Sequence, residues 1–171
     1  NTLESLTTVD SLLNYAAHCD SDIVNVSNED GSTPLHFAAS KGSFAICQSL
    51  CAAAANVNTR NNNGSTPLHL ACSAAGDEFL IRHLLKWKAN MYTIDSRGHT
   101  PFHLCILNQR VDLMRAFLLD DDVDDDHVKI KPYDVNKALC DEGFMTPDPV
   151  LITAVNQNDL NIVKFLIDSC G

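Results

Sequence analysis

Three histidines stand in matched surroundings: His36, His69 and His103 each follow a threonine by three residues, at Thr33, Thr66 and Thr100. Histidine is the side chain best suited to proton transfer at neutral pH and the commonest metal ligand, so these are the first candidates for chemistry. Their spacing argues against it. Thr66 follows Thr33 by 33 residues and Thr100 follows Thr66 by 34, so each histidine falls in its own unit and the three form no cluster. Cys47 and Cys51 are four apart and could share a helix face toward a metal, but no histidine lies at ligand spacing beside them. Cys47 also aligns with apolar residues of the other units, Leu80 and Val163. A nucleophilic cysteine needs a thiolate activated by a nearby base, and the local sequence offers none. Residues 120–126 hold six aspartates around Val123. A calcium loop alternates its ligands with spacers and turns on a glycine, which this run lacks. Glycine-rich phosphate loops and the nucleophile elbow are absent from the sequence. No catalytic residue, no cofactor and no metal are therefore expected. The aspartate run is expected to be a solvated loop, open to a basic partner.

The elements that position these residues follow from the repeat, which is the first thing to seek in a chain of this kind. Gly31-Ser32-Thr33-Pro34-Leu35-His36 recurs from Gly64 to His69 and again, as Gly98-His99-Thr100-Pro101-Phe102-His103, one unit later. Val24-Asn25 and Val57-Asn58 precede two of these motifs at equal distance. The threonine suits a helix N-cap and the proline suits the first turn, where its missing N–H costs nothing. Leu35 and Ala38 face inward, and small residues such as Ala38-Ala39 and Ala71-Cys72 allow close helix approach. Gly42 permits a positive backbone angle that ends the helix. Phe44, Ile46, Cys47, Leu50 and Cys51 then recur at helical spacing as the inner face of a second helix. Asn61-Asn62-Asn63-Gly64 reads as a tight turn.

This pattern resembles the ankyrin repeat, whose period of 33 and T-P-L-H-x-A motif are described for that family. The resemblance implies an all-α fold, a solenoid of stacked helix-turn-helix repeats joined by β-hairpin-like fingers. It also implies that the motif histidines bond backbone around the turns and hold neighbouring repeats together. A degraded fourth copy aligns Leu151 to Val155 with Leu35 to Ala39, with Ile152 in place of histidine. The chain is thus expected to be one domain, 1–171: a half repeat over 1–27, repeats over 28–60, 61–94, 95–136 and 137–171, and an acidic insertion at 120–131. It begins at Asn1, and Phe165 and Ile167 would face a further repeat, so a stretch of a longer protein is expected.

Charge and composition bound the partners. The formal charge is −10, and without the aspartate run it falls to −4. No basic stripe suited to phosphate backbones appears, so no nucleic acid is expected as partner. No apolar run approaches the roughly 18 residues of a membrane span, and no basic segment leads an apolar one as in a signal peptide, so no membrane insertion is expected. Seven cysteines without a paired C-x-x-C spacing fit a reducing, intracellular compartment, cytoplasm or nucleus. The expected partner is another protein or another domain of the same chain, bound by a domain monomeric in isolation. The rival expectation is a domain regulating an attached enzyme or cation channel in cis.

In the ankyrin family the partner meets the finger tips and the concave face of the first helices. Carried onto this chain, the resemblance nominates Arg60, Asn62 and Asn63 on one finger and Ile94, Arg97 and His99 on the next. Leu107 is nominated at the end of a first helix, and Trp87 at the close of a second. Tryptophan and arginine are the residues most enriched at binding hot spots. Trp87 is the only tryptophan and lies between Lys86 and Lys88, which suggests exposure. Trp87, Ile94, Arg97 and Leu107 are expected to gather into one patch, with Trp87 against Tyr92 as the competing arrangement.

Overall fold

A computed structural model describes residues 23–118 and 150–170. These contain α1 (Pro34–Ser40), α2 (Phe44–Ala52), α3 (Pro67–Ser73), α4 (Glu78–Lys86), α5 (Pro101–Leu107), α6 (Val111–Leu118), α7 (Val150–Asn156) and α8 (Leu160–Cys170). No described residue lies in a regular strand.

The first helices start by one local device. Thr33, Thr66 and Thr100 sit in extended backbone, proline opens the helix, and the histidine three residues on closes a capping box with the threonine. α4 starts otherwise: the Asp77 carboxylate accepts the Leu80 N–H at 2.8 Å, and Glu78 adds negative charge where the helix dipole is positive. Seven-residue helices are too short to persist alone; stacking makes them stable. α1, α3, α5 and α7 pack on one another in succession, and each packs on the second helix of its own unit, α2, α4, α6 and α8. The shared core runs through Leu35, Ala39, Leu68, Ala71, Phe102 and Cys105 on the first helices, and through Cys47, Leu80, Leu84, Leu113 and Phe117 on the second.

Between α2 and α4 the backbones stay apart and aromatic rings fill the space. Phe44 of α2 meets Phe79 at 4.6 Å, His83 at 4.7 Å and Trp87 at 6.2 Å between ring centroids. The extra residue in the 34-residue spacing lies in the α3–α4 loop, where Ala74 leaves helical backbone and the Gly76 N–H returns to the Ala71 carbonyl at 3.2 Å. Arg110 clamps this loop from the next unit, its guanidinium donating to the carbonyls of Ala74 at 3.2 Å and Gly76 at 2.9 Å. On the other side Gly42 holds φ +67°, and a Cβ there would stand 2.3 Å from the Ala75 carbonyl oxygen. Gly42 thus ends α1 as the sequence suggests, and it also makes room for the next loop.

α7 follows a different burial pattern from the helices it aligns with. Val150, Thr153 and Ala154 are buried, where α7 packs on α5 and α8, whereas Leu151, Ile152 and Val155 are exposed. Phe165 is half-buried and Ile167 is exposed. The half repeat before residue 23, the aspartate run and the rest of the 120–131 insertion lie outside the described residues.

Candidate functional site

Every motif histidine whose bonds are fully defined is consumed by structure. The Thr33 N–H donates to Nδ1 of His36 at 3.1 Å, and the Thr33 hydroxyl lies 2.9 Å from the same atom. Nε2 of His36 lies 3.0 Å from the Ser65 carbonyl oxygen in the next unit. A carbonyl only accepts, so Nε2 carries the hydrogen, Nδ1 is the acceptor, and the ring is neutral. His69 repeats this with Thr66 and the His99 carbonyl, at 3.1 Å. Burial lowers the pKa of both rings, that of His69 to about 4. A ring so held has no atom left for substrate or metal. The cysteines are equally quiet: burial pushes Cys47 up to about 12 and Cys51 up to about 11, so both remain thiols. Among the described residues no three His, Cys, Asp or Glu side chains gather to hold a metal.

The Val-Asn pairs are a second staple between units. Asn25 accepts the Asn56 N–H at 2.7 Å, and Asn58 accepts the Asn90 N–H at 2.8 Å while donating to the Lys88 carbonyl at 3.1 Å.

The finger turns are built on one plan. Asn28 accepts the N–H groups of Asp30 and Ser32, Asn61 those of Asn63 and Ser65, and Asp95 those of Arg97 and His99, all within 3.1 Å. Gly31, Gly64 and Gly98 take positive φ at the tips. Backbone bonds join the fingers: the Asn62 N–H donates to the Asp30 carbonyl and the Ser96 N–H to the Asn63 carbonyl, each at 2.9 Å.

This arrangement sorts the nominated residues. Arg60 and Asn62 are structural ties, Arg60 donating to the Ile94 carbonyl at 2.8 Å and Asn62 to the Glu29 carbonyl at 2.9 Å. Ile94 and His99 are half-buried on the third finger, and Nδ1 of His99 is buried without a hydrogen-bond partner. Arg97 and Asn63 project from exposed tips. Leu107 is half-buried at the far end of α5. Trp87 is held by aromatic neighbours. It caps α4, and its ring stacks toward Phe44 at an interplanar angle of 12° and meets His83 at 5.9 Å. Trp87 thus packs within the second-helix layer, in the gap between α2 and α4.

A row of apolar side chains that motif reasoning passed over lies on the first helices. On α1 the buried residues are Leu35, His36, Ala38 and Ala39, so Phe37 and Ser40 face away from both neighbouring helices. Phe37 is 52% exposed, and its counterparts Leu70 and Leu104 are half-buried. Ser40 and Ser73 turn their hydroxyls onto the carbonyls of Phe37 and Leu70, at 2.9 and 3.3 Å, which leaves the row apolar. Leu107 stands at the position of Ser40 and Ser73 and extends it. The signal was present in the sequence, since the x of T-P-L-H-x-A is apolar in all three full copies.

Stacked two-helix units, reciprocal Thr-His caps and linked fingers define a helical repeat solenoid with one open face. The family model described as ankyrin repeats (3 copies) matches the chain over residues 3–95 and 55–130, and the chain belongs to that family. No individual curated protein matches it. Ankyrin repeats are in general protein-interaction modules. No described helix is long and apolar enough to cross a membrane.

Proposed function

We propose that this domain is a non-catalytic intracellular adaptor that binds a partner protein along the face made by the fingers and the exposed side of α1, α3 and α5. The observation that carries this reading is the row of exposed Phe37 and half-buried Leu70, Leu104 and Leu107 on the first helices, with Arg97 exposed at the tip of the third finger. Phe37, Leu70 and Leu107 lie outside the core cluster, Leu104 packs against its edge, and apolar surface left in contact with solvent marks interaction sites. The fingers behind it are fixed by side-chain and backbone bonds, so little ordering entropy is lost on docking. Arg97 supplies a planar donor fork for a carboxylate on the partner.

The test selects binding peptides from a display library on the purified domain, then measures the best binder against variants. Phe37→Asp and Arg97→Ala are each expected to weaken binding about tenfold or more, with the melting temperature unchanged. Trp87→Ala, in the other layer, is expected to leave affinity for that peptide intact. Binding indifferent to Phe37→Asp and Arg97→Ala would place the interface elsewhere.

A further inference from the structure

Phe37, Leu70 and Leu104 are the fourth residues of α1, α3 and α5, so each unit brings one apolar side chain to solvent at the same place. Packed helices lie about 8–10 Å apart, and the row repeats at that interval. An α-helix returns a side chain to one face after seven residues, a rise of about 10.5 Å. A strand does so after two residues, about 6.7 Å, which is out of step with the row. A polyproline helix repeats after three residues, about 9 Å, but it docks in grooves lined by aromatic rings, whereas the apolar face of an α-helix seats in a hydrophobic groove through anchors such as i and i+7. Of the four side chains in this row, only Phe37 is aromatic and the rest are leucines.

The fingers add a direction. The residue three before the capping threonine changes sign along the stack: Asp30 on the first finger, Asn63 on the second and Arg97 on the third, all exposed. Glu29, also exposed, adds to the acid of the first finger. The Asp30 carboxylate accepts from the neutral Asn28 amide at 3.3 Å, which leaves its charge in place. On the third finger Asp95 instead turns its carboxylate onto the N–H groups of Arg97 and His99, each at 2.9 Å. The tips are held in register by the backbone bonds from Asn62 to Asp30 and from Ser96 to Asn63. We propose that the partner segment is an amphipathic α-helix laid across α1, α3 and α5, with apolar side chains seven residues apart on the row, acidic residues toward Arg97 and basic residues toward Glu29 and Asp30; this rests on the docking face argued above. Acids in the first turn and bases in the last also stabilise such a helix by itself, so its N-terminus lies at the third finger.

The probe is a capped peptide of about 18 residues with three leucines seven apart, glutamates in its first turn, lysines in its last, and alanine and glutamine between. Labelled with fluorescein and titrated with the full chain, it is expected to bind saturably. Unlabelled, it is expected to gain helical circular dichroism on mixing. Phe37→Asp is expected to weaken binding about tenfold or more, and Arg97→Glu about fivefold at low salt, both with the melting temperature unchanged. Lysines in place of the first-turn glutamates are expected to recover affinity for Arg97→Glu. Five results would overturn the proposal: no saturable binding up to millimolar peptide; binding without a gain of helix; equal affinity in Phe37→Asp; no recovery by the lysine peptide; or tighter binding of a proline-rich peptide with leucine at every third position. Failure of the docking face itself reads differently. Display-selected peptides indifferent to Phe37→Asp and Arg97→Ala remove that face, whereas selected peptides that need both residues yet stay non-helical keep the face and remove only the helix.

Discussion

The two helical layers of this solenoid are held by different physics. In the first-helix layer the same polar bonds recur at the first two junctions: a threonine caps, a histidine closes the box, and its second nitrogen reaches a carbonyl of the next unit. These bonds fix both the helix start and the distance to the neighbour, so the residues that make them must repeat. In the second-helix layer α4 packs directly on α6, whereas the α2–α4 gap is filled by Phe44, Phe79, His83 and Trp87. Packing of that kind asks only for volume and shape, so its residues need not repeat. Where the units share a bonding geometry they share a sequence; where they share only a space they diverge.

The largest difference between the layers should appear on truncation. His69→Ala removes two bonds inside the capping box and leaves the part-buried His99 carbonyl without its donor. A loss of about 3–4 kcal/mol is expected from three bonds and one orphaned acceptor. Phe44→Ala, from a half-buried ring with three aromatic neighbours, should cost about 1–2 kcal/mol. Urea unfolding of the two variants beside the parent protein checks the order. A larger loss at Phe44 would mean that the aromatic gap-filling, and not the polar ladder, holds the second unit in place.

A somewhat smaller effect separates the layers by pH. Burial lowers the pKa of His69 from 6.5 to about 4, so on acidification the unfolded chain takes up the proton first. The contribution is whole above about pH 6.5 and is lost as the pH falls toward 4, on the order of 3 kcal/mol across that window. His36 is shifted in the same direction by burial and adds to the same slope. Stability measured from pH 7.5 to 4 should fall less steeply in His69→Ala than in the parent protein. Carboxylates shared by both proteins cancel in that difference. Equal slopes would show that the His69 ring is not held neutral by the fold.

What could be read in advance divides along the same line. The capping boxes lie within four residues of sequence, and the period of the motif is enough to imply the stack. The Val-Asn pairs were visible as a repeat, but their bonds to Asn56 and Asn90 cross some 30 residues and need the stacked geometry to be seen. Arg60 and Asn62 carry exposed side chains in polar turns and so looked free, yet the next finger and the last each offer a carbonyl within reach. Trp87, flanked by lysines, gave no sign of Phe44, 43 residues earlier, because the width of the α2–α4 gap is a property of the packed layer. Arg110 was silent for a similar reason: its partners are backbone carbonyls of the α3–α4 loop, 36 and 34 residues earlier.

The smallest expected effect asks whether the regularity of the first layer is a backbone requirement at each unit. The residue that ends a first helix holds positive φ in three units, as Gly42 at +67°, Gln109 at +57° and Asn158 at +54°. A left-handed conformation costs a non-glycine residue about 1–2 kcal/mol. Glycine relieves that strain but gives the unfolded chain more freedom, which offsets part of the gain. Gln109→Gly should therefore raise stability by about 0.5–1 kcal/mol. Gln109 is exposed, and its N–H bond to the Ile106 carbonyl at 3.0 Å is kept by glycine, so no lost contact opposes the gain. At Gly42 the reverse change meets the Ala75 carbonyl as well as the strain, and Gly42→Ala should lower stability by about 2 kcal/mol or more. The asymmetry separates the two causes. Backbone angle alone predicts changes of opposite sign and like size, whereas an added steric term makes the loss at Gly42 clearly the larger. Differential scanning calorimetry of the pair decides it. If Gln109→Gly lowers the melting temperature, the left-handed turn there is held by side-chain contacts of Gln109 and not merely tolerated.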